Sequence, residues 1–182
     1  MLRNKAILKE QLNRFTKAEL VEILAKMSTK RFNYEFLLVK YLDPEGGEEL
    51  LFEDAKEDIE HLMDKEFKGR TIQHQMVKRL KACTNRIKDF TEETQDKKLE
   101  ADLILYVLEI QFQDNSHVFG AKYSGYDYKV GLLLKKLIGL VNTKLHDDYF
   151  VDYQDKINMM LTSLHHTSNR INTIKSLPKE LG

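Results

Sequence analysis

The stretch Leu99–Phe112, LEADLILYVLEIQF, decides how the rest of the chain is read. Six apolar residues follow one another from Leu103 to Leu108, and Glu100, Asp102 and Glu109 flank them. At helical period, Leu99, Leu103, Tyr106 and Ile110 mark one side, while Ala101, Leu105, Leu108 and Phe112 mark another. A helix that is apolar on more than one side has to be covered by neighbours on each. A buried strand is the rival reading, but the segment is long for a strand and sits in charged, helix-favouring sequence. The expectation is an all-α protein of seven to nine helices around this central, buried helix.

Composition agrees with that class. The 182 residues contain two Pro and eight Gly, too few breakers for a many-stranded architecture. A chain of this length buries roughly 70% of its unfolded surface and folds without a disulfide or metal. Cys83 is the single cysteine, which excludes an internal disulfide and fits a reducing compartment. The opening residues, MLRNKAILKEQLNRF, mix charged and apolar types throughout, unlike a signal peptide. No apolar run approaches the ~20 residues of a membrane span. A cytoplasmic protein without membrane attachment is expected, and no cofactor is called for.

Lys+Arg and Asp+Glu number 29 each, but they are unevenly placed. Met1–Lys40 holds nine bases and four acids, Asp43–Asp64 ten acids and one base, and Lys65–Lys88 eight bases and one acid. An acidic helix beside a basic one, each offsetting the other's field, accounts for the pattern.

Outward from the central stretch, the periodicity predicts a helix over 2–13 and a second from Thr16. There Glu19 at N3 closes a capping box, and Phe15 and Leu20 form a hydrophobic staple. Asn33–Leu42 reads as a short apolar helix, stopped by Asp43-Pro44-Glu45-Gly46-Gly47. Residues 1–42 are thus a candidate N-terminal cap joined by a 43–47 linker, within a single 1–182 domain. Glu48–Phe67 and Ile72–Phe90 form a helical hairpin of opposite charge, and polar Thr91–Lys98 links it to the central helix. Gln113–Tyr128 reads as an irregular loop. Val130–Leu145 is helical, with Gly131 and Gly139 on one side where a close neighbour fits. Asp148–Ser176 is one long helix or two helices bent near Ser168-Asn169. Either an antiparallel bundle or a short stack of helical hairpins satisfies this order.

Few constellations carry chemistry. Asp58/His61 and Asp114/His117 have the three-residue offset of helical di-iron sites but lack the facing carboxylates, so no metal site is assigned. His146-Asp147 has the form of a metal-dependent phosphohydrolase dyad. That chemistry needs a further His and Asp, for which only His61, His74 and Asp152 stand as nominees. Cys83 packs as a small hydrophobe on the inner side of its helix, and His165-His166 reads as helix surface. Lys78, Arg79, Lys81, Arg86 and Lys88 form the densest basic cluster, but a pI near 7.0 argues against a nucleic-acid partner. The rings of Tyr123, Tyr126 and Tyr128, with His117 and Phe119, gather in the irregular loop. They either contact a ligand or partner there or plug the core beneath it.

Leu8–Arg31 has the leucine-then-lysine form of the two-helix nucleic-acid module of scaffold-attachment type, without its inter-helix glycines. Three further stretches, Leu12–Leu24 (LNRFTKAELVEIL), Ile87-Lys88-Asp89-Phe90 with Ala101–Tyr106, and the loop opened by Phe119-Gly120, span most of the chain. Together they resemble a family of small helical bacterial proteins classed as a domain of unknown function. Where that family closes on a Gly-Trp-Gly-like segment, this chain has Ser168-Asn169-Arg170-Ile171. The resemblance implies an all-α cytoplasmic bacterial protein and no particular activity. The leading expectation is a non-enzymatic binding or scaffold protein with a protein partner, for which a homodimer is one form. A hydrolase centred on His146-Asp147 and nucleic-acid association through 78–88 and the N-terminal helices are the alternatives.

Overall fold

The computed structural model describes residues 9–10, 12–28, 34–35, 37–43, 46–121, 125–168 and 175–182, at position 40 without its side chain. Among the described residues the chain is all-helical. Six α-helices occur: α1 (Lys17–Met27), α2 (Gly47–Asp64), α3 (Ile72–Thr94), α4 (Lys97–Gln113), α5 (Tyr126–Thr143) and α6 (Phe150–Thr167). A π-helical turn spans Leu38–Leu42, and 3-10 turns span Ser116–Val118 and Asp147–Tyr149. No helix among these residues is long and apolar enough to cross a membrane. Most of the helix expected over 2–13 lies outside the described residues.

The chain divides into two compact units, Met1–Gly47 and Glu48–Gly182. In the first, Thr16 caps α1 as its sequence requires. The Glu19 N–H donates to Thr16 Oγ1, and the Glu19 carboxylate accepts from the Thr16 N–H at 2.8 Å. α1 buries none of its residues, and Phe15, Leu24 and Met27 are exposed. Where a plain α-helix was expected up to Leu42, the backbone widens into the π turn and closes on the Asp43 N–H, which donates to Leu38 O. Asp43 then shapes the turn that follows. Its Oδ1 accepts from the Gly46 N–H at 3.0 Å, and its carbonyl accepts from the Gly47 N–H.

The second unit contains α4. Ala101, Leu103, Ile104, Leu105, Val107 and Leu108 are buried along more than half of its circumference, while Lys98, Leu99, Asp102, Tyr106, Glu109 and Ile110 on the remaining side are half-buried. α4 packs against α3 and α5, α3 also packs against α5, and α5 packs against α6. Polar contacts tie α4 to the remaining helices. The Tyr106 hydroxyl donates to Glu60 of α2 at 2.7 Å, and the Tyr153 hydroxyl of α6 donates to Asp102 at 2.6 Å. The oppositely charged helices α2 and α3 meet through the Arg86–Asp58 ion pair at 2.6 Å and through Phe52 against Phe90.

Several element ends differ from the sequence reading. The acidic helix stops at Asp64, short of Phe67. The supposed linker 91–98 is mostly helix. α3 runs to Thr94, Gln95 turns the chain with φ 60° in the left-handed region, and Asp96 caps α4 by accepting the Leu99 N–H. Thr91 and Thr94 satisfy their hydroxyls on Ile87 O and Phe90 O, so polar residues extend the helix rather than end it. α5 begins at Tyr126 and not Val130, which moves Tyr126 and Tyr128 out of the loop. α6 ends at Thr167 with Ser168 in extended backbone, so Asp148–Ser176 is not one continuous helix. The segment 177–181 lies back along α6, where Asn158 brackets Leu181. The Leu181 N–H donates to Asn158 Oδ1 at 2.7 Å, and Asn158 Nδ2 donates to Leu181 O at 3.2 Å.

Of the two α5 glycines, Gly131 is buried but Gly139 is exposed, and a Cβ built there meets nothing within 4 Å. No close neighbour requires Gly139. Gly139→Ala should therefore raise unfolding free energy by about 0.5–1 kcal/mol, the helix-propensity difference between the two residues. Urea titration followed by circular dichroism measures it, and a loss of stability would show an unrecognised close approach.

Candidate binding surfaces

Among the described residues, Phe119 and Tyr126 of the aromatic group pack against each other. Tyr126 is fully buried; its hydroxyl donates to Gln111 Oε1 at 2.8 Å, and Gln111 Nε2 donates to Val107 O. Phe119 stacks on Tyr126 with centroids 5.4 Å apart, and Phe112 tilts against Phe119 at 5.1 Å. These three rings close the space between the loop and α4, the plugging alternative of the two. Burial, joined by the Asp127 charge, pushes the Tyr126 phenol up and keeps it neutral. Asp127 anchors the loop from the first turn of α5. Its Oδ2 accepts from the Gly120 N–H at 3.0 Å, and Gly120 has φ 78°, a left-handed conformation suited to glycine. Tyr128, two positions from Tyr126 on the same helix, points to the other side and is exposed, as is His117. Tyr123 lies outside the described residues.

The basic cluster is likewise dispersed. Arg86 is buried on Asp58. Arg79 donates to Lys65 O at 3.2 Å and to Met76 Sδ, and Lys78 donates to Lys68 O. Lys88 pairs with Glu92 at 3.4 Å. Arg79 and Lys78 thereby fasten the turn between α2 and α3, and Lys81 lines a groove.

The nominated catalytic groups are scattered in the same way. Among the described residues no three His, Cys, Asp or Glu side chains come together as a metal-binding group. His146 Nδ1 accepts from the Asp148 N–H and stands 3.1 Å from the Asp148 carboxylate, so it caps the 3-10 turn. His61 and Asp152 are exposed, and His74 Nδ1 lies 2.9 Å from Thr71 Oγ1 at the start of α3. Asp58 is held by Arg86, and Asp114 ends α4, one turn before His117. Cys83 is fully buried, and burial pushes its thiol up to about 12, against a weaker opposing pull from Arg79. A thiol so placed is not a nucleophile near neutral pH. His165 is no plain surface residue, since its Nε2 lies 2.9 Å from Pro178 O.

Two grooves were not foreseen. One, of about 300 Å³, lies between α4 and α6 and is lined by Phe112, Met159 and Met160 with Glu109 and Lys156, which pair at 2.7 Å. Met159 at its lip is 74% exposed, and Val151 on the same helix is 73% exposed. The other, of about 320 Å³, runs between α3 and α5. Leu80, Leu132 and Leu133 form its floor, and Lys81, Lys129 and Lys136 stand around it. Lys129, Leu132 and Lys136 follow helical spacing, as do Val77, Leu80, Lys81 and Thr84. The stripes are readable in sequence, but their meeting depends on α3 packing on α5.

Tyr126→Phe tests the plug. Deleting the hydroxyl strands Gln111 Oε1 in a buried site and should cost about 1–3 kcal/mol. Urea unfolding reads the loss, and an unchanged midpoint would mean that the ring stack alone holds the loop. The chain matches no protein-family model, no curated protein and no solved structure.

Proposed function

We propose that this chain is a non-enzymatic helical binding protein of the cytoplasm, an antiparallel bundle around α4. It works by association with protein and pairs with its own copy through the outer side of α6. In this reading it stands with the small helical bacterial proteins it resembles. The observation that carries the proposal is a projecting residue beside a hollow of matching character: Met159, 74% exposed, at the edge of the Phe112–Met160 groove.

A two-fold contact needs a surface complementary to itself, because each copy presents the same patch. This face meets that condition. Each copy offers an unbranched, adaptable thioether and receives its partner's in an apolar groove. The groove's charges, Glu109 and Lys156, offset each other, so two copies approach without like-charge repulsion. Methionine is enriched at the cores of protein interfaces.

Light scattering on the size-excluded protein tests this. The expected mass is twice the 21.4 kDa protomer, falling toward one protomer on dilution. Met159→Lys should weaken the dimer at least about tenfold, or ~1.4 kcal/mol, while leaving helicity intact. A wild type that stays monomeric at every concentration, or a variant that dimerises as well as wild type, overturns the proposal.

A further inference from the structure

The α3–α5 groove carries unneutralised positive charge over an apolar floor. Of its three lysines, Lys136 alone has a carboxylate partner, pairing with Glu100 Oε1 at 2.7 Å. Glu100 is buried and also takes Lys97 at 2.8 Å. Burial acts to raise the Glu100 pKa, but these two ammonium groups outweigh it and hold the carboxyl below its usual range. Lys136 is therefore a fixed cation at the groove. Lys81 and Lys129 are exposed and have no carboxylate partner among the described residues. The floor beneath them is aliphatic: Leu80 and Leu133 are buried, and Leu132 is 40% exposed.

We propose that this groove is a binding site for a small amphipathic anion, an aliphatic chain ending in a carboxylate or phosphate. The head group lies between Lys81 and Lys129, and the chain lies over Leu132. Three features select this chemistry. Lysines are point charges that accept either anion, whereas a site built for one planar oxyanion favours the arginine fork. No aromatic ring lines the groove, so a nucleobase has nothing to stack on. The volume of about 320 Å³ matches a small ligand rather than a docked helix. The site lies on α3 and α5, apart from the α6 face, so it stands or falls independently of dimerisation.

Decanoate and decyl phosphate, each below its micelle concentration, are titrated into the full chain by calorimetry, with amide spectra locating the shifts. At least one should bind and shift Lys81, Lys129 and Leu132. Decyltrimethylammonium and inorganic phosphate should bind at least about tenfold more weakly, because each supplies half of the recognition. Lys81→Gln/Lys129→Gln, which leaves the Lys136–Glu100 pair in place, should lose about tenfold in affinity with unchanged circular dichroism. Leu132→Asp provides a second route to the same loss. The proposal is overturned if neither decyl anion binds, if the cationic analogue binds equally well, or if the double variant binds like wild type. It is also overturned if anionic vesicles or single-stranded oligonucleotide occupy the lysines and decanoate does not displace them, since the ligand would then be a membrane surface or nucleic acid.

Discussion

In the larger unit, the acids of α4 hold side chains of the helices around it. Within α4, Glu100 is buried, and Asp102 and Glu109 are half-buried. A carboxylate taken out of water without a partner costs several kcal/mol, so each of these acids must find a cation or donor. Glu100 takes Lys97 and Lys136, Asp102 takes Lys98 and Tyr153, and Glu109 takes Lys156. Lys136 belongs to α5, while Tyr153 and Lys156 belong to α6. The acids of the buried helix thus specify where its neighbours stand, in addition to the apolar packing that drives them together. Tyr106 does the same toward α2 through Glu60.

The two candidate surfaces are by-products of that arrangement. On the α6 side the Glu109–Lys156 pair balances charge locally and leaves a neutral, methionine-lined groove. On the α3–α5 side Glu100 is drawn inward, so its charge offsets Lys136 but does not reach Lys81 or Lys129. The same buried helix therefore lies under one neutral surface and beneath the edge of one positive surface. This asymmetry is how a chain with no net charge presents two chemically different faces.

Helix class was legible because it depends on local pattern. Leu103–Leu108 cannot be amphipathic in any register, and Thr16 with Glu19 forms the capping box its spacing implies. Boundaries set by side-chain hydrogen bonding were not legible. Thr91 and Thr94 read as linker residues, yet they bond back to the preceding turn and carry α3 onward. Side-chain placement at the candidate residues was not legible for a related reason. Tyr126 and Tyr128 look equivalent in a loop, but a helix that begins at Tyr126 sends one inward to Gln111 and the other to solvent. Arg86 and Lys88 look alike in a basic run, but one is consumed by Asp58, 28 positions away. The grooves depend on which helices meet, a long-range property that no window of sequence contains.

The central claim is that α4, packed on α3 and α5 and bonded to α2 and α6, opens only when the whole unit opens. Native-state hydrogen exchange measures this amide by amide. The account predicts that Leu103–Leu108 exchange slowest of all, with an opening free energy equal to that of global unfolding and the denaturant dependence of full exposure. Exchange of these amides by a smaller, local opening, ahead of those of α3 and α5, would contradict it.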